Sequence, residues 1–122
     1  MRVGTDITEV SRIRELMGRH AGFRATVFTP QEIDYCESKR HSFEHYAARF
    51  AVKESVMKAV GRGWLQGLEW TDIEVVRRDS GEPAIAAHGS LRAAMQQLGI
   101  GSFAVSLSHC RSHATAVVIA VH

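Results

Sequence analysis

Cysteine, long apolar runs and an excess of charge of one sign are all scarce in this sequence. The two cysteines, Cys36 and Cys110, are too few for the disulfide framework of a small secreted domain. No apolar run approaches the roughly 20 residues that a membrane-spanning helix needs, and no signal-like segment opens the chain. We therefore expect a soluble, cytoplasmic protein with no part in a membrane.

The net charge is also small, because 15 Lys and Arg residues are offset by 13 Asp and Glu residues. This balance does not predict nucleic-acid binding, which requires a basic surface. One local excess lies in "SRIRELMGRHAGFR", where Arg12, Arg14, Arg19 and Arg24 accompany a single acid, Glu15. The segment is either a docking surface for a negatively charged partner or an ordinary solvated helix face.

Helices dominate the first half of the predicted structure. A short strand ends near Asp6, and a helix follows from about Glu9 to Met17. In "FTPQEIDYC", Thr29 and Glu32 form a capping box that begins a second helix. The apolar density from Phe43 to Val60 then predicts a central helix of about four turns, which ends at Gly61 and Gly63.

Strands dominate the second half. The segments "DIEVVRR" and "EPAIAA" flank a turn and predict a hairpin, "SLRAAMQQL" predicts a short helix, and "FAVSLSH" and "ATAVVIAV" predict two paired strands. Helices followed by strands favour an α+β fold over a repeating βαβ fold. With 122 residues, the chain predicts a single compact domain over residues 1–122, in which the long central helix packs on a small antiparallel sheet.

Three charged residues, Lys53, Glu54 and Lys58, fall on the apolar side of the central helix when its residues are placed 100° apart. A buried carboxylate without a partner is costly, so Glu54 requires a cation. Lys58 provides one at i, i+4, as a structural ion pair. Asp6 offers a second acid instead, which would make Glu54 part of a cation site. The spacing alone leaves both interpretations open.

Two carboxylates without a thiolate favour a hard cation such as Mg²⁺, which completes its shell with water and substrate phosphates. Lys53, Lys58 and Arg49 are suited to phosphate oxygens, and Gly61 and Gly63 allow a close approach of the backbone. The constellation indicates phosphoryl-group chemistry. A zinc site of Cys36, His109, Cys110 and His113 is set aside because the spacing is irregular.

Five segments carry a resemblance to a known family: "VGTDITEVSRI", "FTPQEIDY", "ARFAVKESVMKAVGRGW", "DIEVVRRDSGEP" and "VSLSHCRSHATAVVIA". In this collinear order, from Val3 to about Ala120, they resemble the holo-(acyl carrier protein) synthases, which are small 4′-phosphopantetheinyl transferases. The resemblance implies the fold of these transferases and the Mg²⁺-dependent transfer of 4′-phosphopantetheine from coenzyme A to a serine of an acidic acyl carrier protein, with release of 3′,5′-ADP. It also implies a homotrimer with active sites between subunits.

The resemblance further assigns roles to individual residues. Asp6 and Glu54 match the metal ligands, and Lys58 matches a lysine associated with the phosphates and with transfer, so these three form the expected catalytic set. The expected coenzyme A site comprises Arg49, Lys53, Lys58, Gly61, Ser108 and His109. Arg12, Arg14 and Arg19 match a helix that docks the carrier protein.

Three questions stay open in the sequence. The base that takes the serine proton is Glu54, Lys58 or a metal-bound water. The physiological carrier serves fatty-acid, polyketide or peptide synthesis. A catalytically silent relative that only binds carrier protein or coenzyme A is the alternative to an enzyme.

Overall fold

The longest helix, α4 (Ser42–Val60), is buried along most of its length. Of its 19 residues, 13 are buried, so it has almost no solvated side. The helix packs against strands on one side and against shorter helices on the other. Gly61 ends it in the left-handed conformation, with φ of 79°, which a residue without a Cβ adopts without strain.

The computed structural model describes all 122 residues. Five strands and five helices follow in the order β1 (Arg2–Glu9), α1 (Val10–Arg19), α2 (Phe23–Val27), α3 (Pro30–Glu37), α4, β2 (Ile73–Arg77), β3 (Pro83–Ala87), α5 (Gly89–Leu98), β4 (Ser102–His109) and β5 (His113–Val121). Two single-turn 3₁₀ helices lie at Trp64–Gln66 and Trp70–Asp72. No helix is long and apolar enough to cross a membrane.

The main sheet is antiparallel, with the strand order β1-β5-β4. β5, the central strand, alternates strictly between buried and exposed residues, and its buried members are Ala114, Ala116, Val118 and Ala120. These side chains are small, so α4 lies close to the sheet. The strands β2 and β3 form a separate hairpin.

Gly4 is the point of closest approach between β1 and α4. A Cβ atom built on Gly4 would lie 1.8 Å from the backbone oxygen of Ser55 and 2.8 Å from the backbone nitrogen of Ala59. Only glycine fits this contact, and it brings the neighbouring β1 residues onto the surface of α4.

The predicted α+β fold is confirmed, and so are the capping box of Thr29 and Glu32 and the pairing of β4 with β5. The first strand, in contrast, does not end near Asp6. It continues to Glu9 because β1 pairs with β5 along its whole length, with Asp6 opposite Ala116. The prediction that the strand ends near Asp6 is therefore wrong, and the Asp6 side chain lies on the sheet face that meets α4.

Candidate active site

Asp6 and Glu54 lie where β1 crosses α4, close enough for the negative charge of Asp6 to act on Glu54. Because side chains alternate along a strand, Gly4, Asp6 and Thr8 share the face toward α4. The Lys58 ammonium lies between the two elements and donates to Asp6 Oδ1 at 3.2 Å and to the Thr5 carbonyl oxygen at 2.9 Å. The structure thus unites the three residues that the sequence predicted to act together.

Glu54 is held in an unfavourable state for a carboxylate. Its pKa is raised above the ordinary value, first by burial and then by the negative charge of Asp6. Lys58 and Arg12 oppose this effect by attracting the ionised form. A second cation near the two acids would relieve the repulsion between them.

The donor set fits Mg²⁺ and does not fit a structural zinc ion. No group of three or more His, Cys, Asp or Glu side chains is close enough to hold a metal. Magnesium needs only one or two carboxylates, because water and substrate phosphates supply its other ligands, whereas structural zinc takes four protein ligands. Asp6 and Glu54 are the residues that would hold the ion.

Glu54 stands between two open grooves. The first, which we call the basic groove, has a volume of about 520 Å³, and its lining includes Glu54, Lys58, Gly61, Arg62 and Trp64. The second, the apolar groove, has a volume of about 450 Å³, and its lining includes Arg12, Leu16, Phe23, Phe50, Glu54, Trp64 and Trp70. A substrate in the basic groove and one in the apolar groove would both reach Glu54.

Comparison with known proteins identifies the family. The family model described as "4′-phosphopantetheinyl transferase superfamily" matches residues 2–118. The chain belongs to this superfamily.

This transferase resembles curated proteins that are named holo-[acyl-carrier-protein] synthase. It is 43% identical to the holo-[acyl-carrier-protein] synthase of Moorella thermoacetica over 119 residues, which are 98% of this chain and 92% of that one. It is 42% identical to the protein of the same name from Geobacter sp. over 118 residues, which are 95% of this chain and 94% of that one.

Solved structures agree in fold. The holo-[acyl-carrier-protein] synthase of Neisseria meningitidis superposes with a TM-score of 0.88 at 27% identity, covering 99% of this chain and 98% of that one. The Helicobacter pylori protein, solved in complex with coenzyme A, gives a TM-score of 0.84 at 29% identity, with 97% and 98% covered.

Lys58 of the transferase does not form the internal pair with Glu54 that one interpretation of the sequence offered. Its partner is Asp6, and its side chain is about half exposed, at 54%. The interpretation of Glu54 and Lys58 as a structural ion pair within α4 is therefore wrong. An exposed ammonium at the edge of the basic groove is free to turn toward a bound anion.

Lys53 does not lie in the site, so the prediction that it binds coenzyme A is wrong. Its side chain is 0% exposed, and its ammonium contacts the Glu32 carboxylate at 2.8 Å. It also donates to the carbonyl oxygens of Trp70 at 3.0 Å and Ile73 at 2.6 Å. All three of its donors are used inside the fold, so none is left for a phosphate.

The backbone N–H groups of Gly61 and Gly63 are also used within the chain. That of Gly61 donates to the Met57 carbonyl oxygen at 2.8 Å, and that of Gly63 donates to the Gln66 side chain at 2.7 Å. Both glycines line the basic groove and contribute to its shape. Their N–H groups are not available to bind a phosphate.

Arg49, Ser108 and His109 form no part of the Asp6–Glu54 cluster within one chain. His109 Nδ1 lies 3.0 Å from Glu44, which precedes Glu54 by ten residues, or about 15 Å along the helix. Arg49 is buried, with its guanidinium 4.1 Å from the centre of the Tyr35 ring and its Nε without a partner. Ser108 is exposed on the far face of the sheet.

The basic residues of α1 differ in their surroundings. Arg12 is exposed and lines the apolar groove beside Glu54. Arg14 lies over the Phe43 ring at 5.0 Å, and Arg19 pairs with Glu15 at 2.8 Å. Of the three, Arg12 is the one that the structure places next to the acidic pair.

The sequence-based prediction missed Thr8, which contacts Asp6, and Glu44, which contacts the predicted site residue His109. Thr8 donates to Asp6 Oδ2 at 2.7 Å. The i, i+2 spacing of Asp6 and Thr8 on a strand was a usable signal, because such residues share a face. The contact of Glu44 with His109 joins residues 65 apart, for which the sequence carries no local pattern.

Proposed function

We propose that the protein is a Mg²⁺-dependent holo-(acyl carrier protein) synthase. It would transfer 4′-phosphopantetheine from coenzyme A to a serine of an apo acyl carrier protein and release 3′,5′-ADP. The observation that carries the proposal is the Asp6–Glu54 pair, with Lys58 beside it and the basic groove open next to it. The names of the relatives and their complexes with coenzyme A support the choice of substrates.

Each residue of the cluster has a distinct task in this reaction. Asp6 and Glu54 would hold the metal ion, which would supply positive charge to the diphosphate of coenzyme A. Lys58 reaches the same diphosphate from the edge of the groove. The serine oxygen forms a bond to the phosphorus of the phosphopantetheine arm as the bond from that phosphorus to the ADP oxygen breaks.

The serine proton needs an acceptor on the protein or in its solvent. Glu54 is the better candidate of the two side chains at hand, because its carboxylate lines both grooves and can accept a proton. Lys58 is paired with Asp6 as an ammonium and has no free electron pair to accept a proton.

Of the remaining residues predicted to bind coenzyme A, Ser108 and His109 would come from a neighbouring subunit, whereas Arg49 is buried against Tyr35. We propose a homotrimer with an active site at each subunit boundary. The outer sheet face supports an interface because it exposes apolar side chains that are unusual on a monomer, namely Val3, Ile7, Val117, Ile119 and Val121. A cytoplasmic location stays a prediction from the sequence.

The decisive experiment is a mass assay. The protein is incubated with coenzyme A, Mg²⁺ and a panel of apo carrier proteins from fatty-acid, polyketide and peptide synthesis. We expect at least one carrier to gain the mass of one phosphopantetheinyl group, and the Glu54→Gln variant to give none. If no carrier gains mass while a reference transferase modifies them, the proposed activity is wrong, and binding of a carrier or of coenzyme A without transfer would then favour the silent binding protein.

Docking of the carrier is tested by reversing the charge of Arg12. Acidic carriers are attracted by a basic helix, so Arg12→Glu should raise the KM for the carrier and weaken the dependence of the rate on salt. Arg92→Glu, on the exposed side of α5, serves as the control and should leave the carrier KM unchanged. An unchanged carrier KM would remove Arg12 from the docking surface.

A further inference from the structure

Thr8 is a buried polar residue whose hydroxyl has one partner in the fold. Its exposure is 3%, and the residue opposite it on β5 is Ala114, which is fully buried. The hydroxyl donates to Asp6 Oδ2 at 2.7 Å. Because a buried hydroxyl without a partner is costly, its proton is committed to this carboxylate oxygen.

Because of this hydrogen bond, the two carboxylate oxygens of Asp6 have different partners. Oδ2 is occupied by Thr8, while Oδ1 faces the Lys58 ammonium at 3.2 Å. A carboxylate fixed at one oxygen cannot rotate freely about its terminal bond, so Oδ1 is presented in one direction. That direction is the side on which the positive charge of Lys58 already lies.

We propose that Thr8 is a positioning residue of the cation site, one that aims Asp6 Oδ1 at the ion. The inference rests on the proposed function, since it concerns the metal that Asp6 and Glu54 would hold. Thr8 itself touches neither the ion nor a substrate. Its effect passes through the orientation of Asp6, as outer contacts of metal ligands commonly act.

A threonine that only fills space would behave differently. Valine has nearly the same shape, so Thr8→Val would then leave ion binding unchanged. A positioning role instead predicts that the loss of the hydroxyl weakens ion binding, whereas Thr8→Ser, which keeps it, preserves ion binding. Thr5→Val is a matched control, because Thr5 lies on the same strand but donates to the Ala116 carbonyl oxygen at 3.0 Å.

The test measures Mn²⁺ binding by electron paramagnetic resonance, with the metal alone and again with coenzyme A in the absence of carrier. We expect Thr8→Val to weaken Mn²⁺ binding about tenfold or more, which is the usual effect of losing an outer contact of a metal ligand. Thr8→Ser and Thr5→Val should stay close to the parent protein. The Mg²⁺ concentration for half-maximal transfer should rise by the same factor in Thr8→Val, with little change in kcat at saturating Mg²⁺.

The possible failures are distinguishable. If the parent protein binds no Mn²⁺ in either condition, the proposed metal site itself is wrong. If the parent protein binds Mn²⁺ and Thr8→Val binds it equally well, only the role of Thr8 is overturned. Should Thr8→Val not fold, Thr8→Cys replaces it, because its weak S–H donor must also lower Mn²⁺ affinity if the inference is correct.

Discussion

At the scale of single residues, the site is distinguished most directly by the free-energy cost of keeping the Glu54 carboxylate ionised. Its pKa is raised by burial and by Asp6, so the folded protein favours the protonated form more than the unfolded chain does. Relative to a neutral side chain, the Glu54 contribution to stability is therefore most favourable below its ordinary pKa of 4.5 and is lost as the pH rises through the folded value.

Glu54→Gln should consequently make the protein more stable at pH 7 while it abolishes transfer. The free energy of unfolding, measured with urea, should exceed that of the parent protein at pH 7, and the difference should shrink toward pH 4. Added Mg²⁺ should stabilise the parent protein and not the variant. A variant less stable than the parent at pH 7 would show that Glu54 is not under electrostatic stress.

Lys53 and Lys58 lie on the same helix, but we predict opposite consequences of their loss. Lys53→Met leaves the Glu32 carboxylate buried without its cation, which costs about 3 to 5 kcal/mol of stability. Lys58→Met removes a half-exposed side chain and should leave stability nearly unchanged, but it should lower the rate of transfer.

Thermal unfolding and the mass assay, run on both variants, separate these outcomes. The double variant Lys53→Met with Glu32→Gln should recover part of the lost stability, because the unpaired charge is gone. A Lys53→Met protein that is stable and simply binds coenzyme A less well would instead reinstate Lys53 as a ligand.

At the scale of elements, the contact of β1 with α4 is what places Asp6 beside Lys58. Gly4→Ala puts a methyl group within 1.8 Å of the Ser55 carbonyl oxygen, so the strand must move away from the helix. We expect a loss of roughly 3 kcal/mol or more, since neither backbone can yield cheaply. Gly18→Ala in α1 is the control, because a Cβ there meets no atom within 4 Å. Urea unfolding of both variants measures the difference.

The central helix shows how far sequence reasoning reaches. Its ends were predictable, because Gly61 stops it and apolar residues fill its length. The role of Lys53 could not be predicted, because placing residues 100° apart around the helix axis distinguishes only an apolar side from a polar side. Other elements cover this helix on nearly every side, so a lysine on it can be buried in the core. There Lys53 pairs with Glu32 on α3, which lies 21 positions earlier in the chain.

Two other elements show where local signals fail. The short helix α2, Phe23–Val27, was missed because five residues without a side-chain cap carry too little periodicity. The length of β1 was underestimated because its partner, β5, lies more than 100 residues away. Local patterns predicted Asp6, Glu54 and Lys58 as a set, but the hydrogen bond from Thr8 needed the strand register.

At the scale of the whole molecule, the exposed apolar face of the main sheet predicts self-association. Val117 lies near the middle of this face, opposite Thr5 on β1 and Ser106 on β4. Val117→Glu should give a monomer and lose transfer activity together, as measured by light scattering and by the mass assay. Ala93→Glu, on the exposed side of α5, should change neither.

A mixing experiment asks whether one active site uses two chains. Glu54→Gln and His109→Ala should each be inactive alone, if His109 acts across a subunit boundary. Mixed subunits, unfolded and refolded together, would then include boundaries with both parent residues and should regain part of the activity. No recovery from assembled mixtures would confine each site to one chain.

The pairing of β1 with β5 also sets the time at which the site can form during synthesis. Residues 2–9 leave the ribosome well before the strand beside them in the sheet, His113–Val121, has been made. A nascent chain that stops before residue 113 contains Asp6, Glu54 and Lys58 and still lacks the strand on which β1 is built. The two acids and the Lys58 ammonium therefore meet only after β5 has been synthesised, so chains that stop before it carry the residues of the site without its geometry.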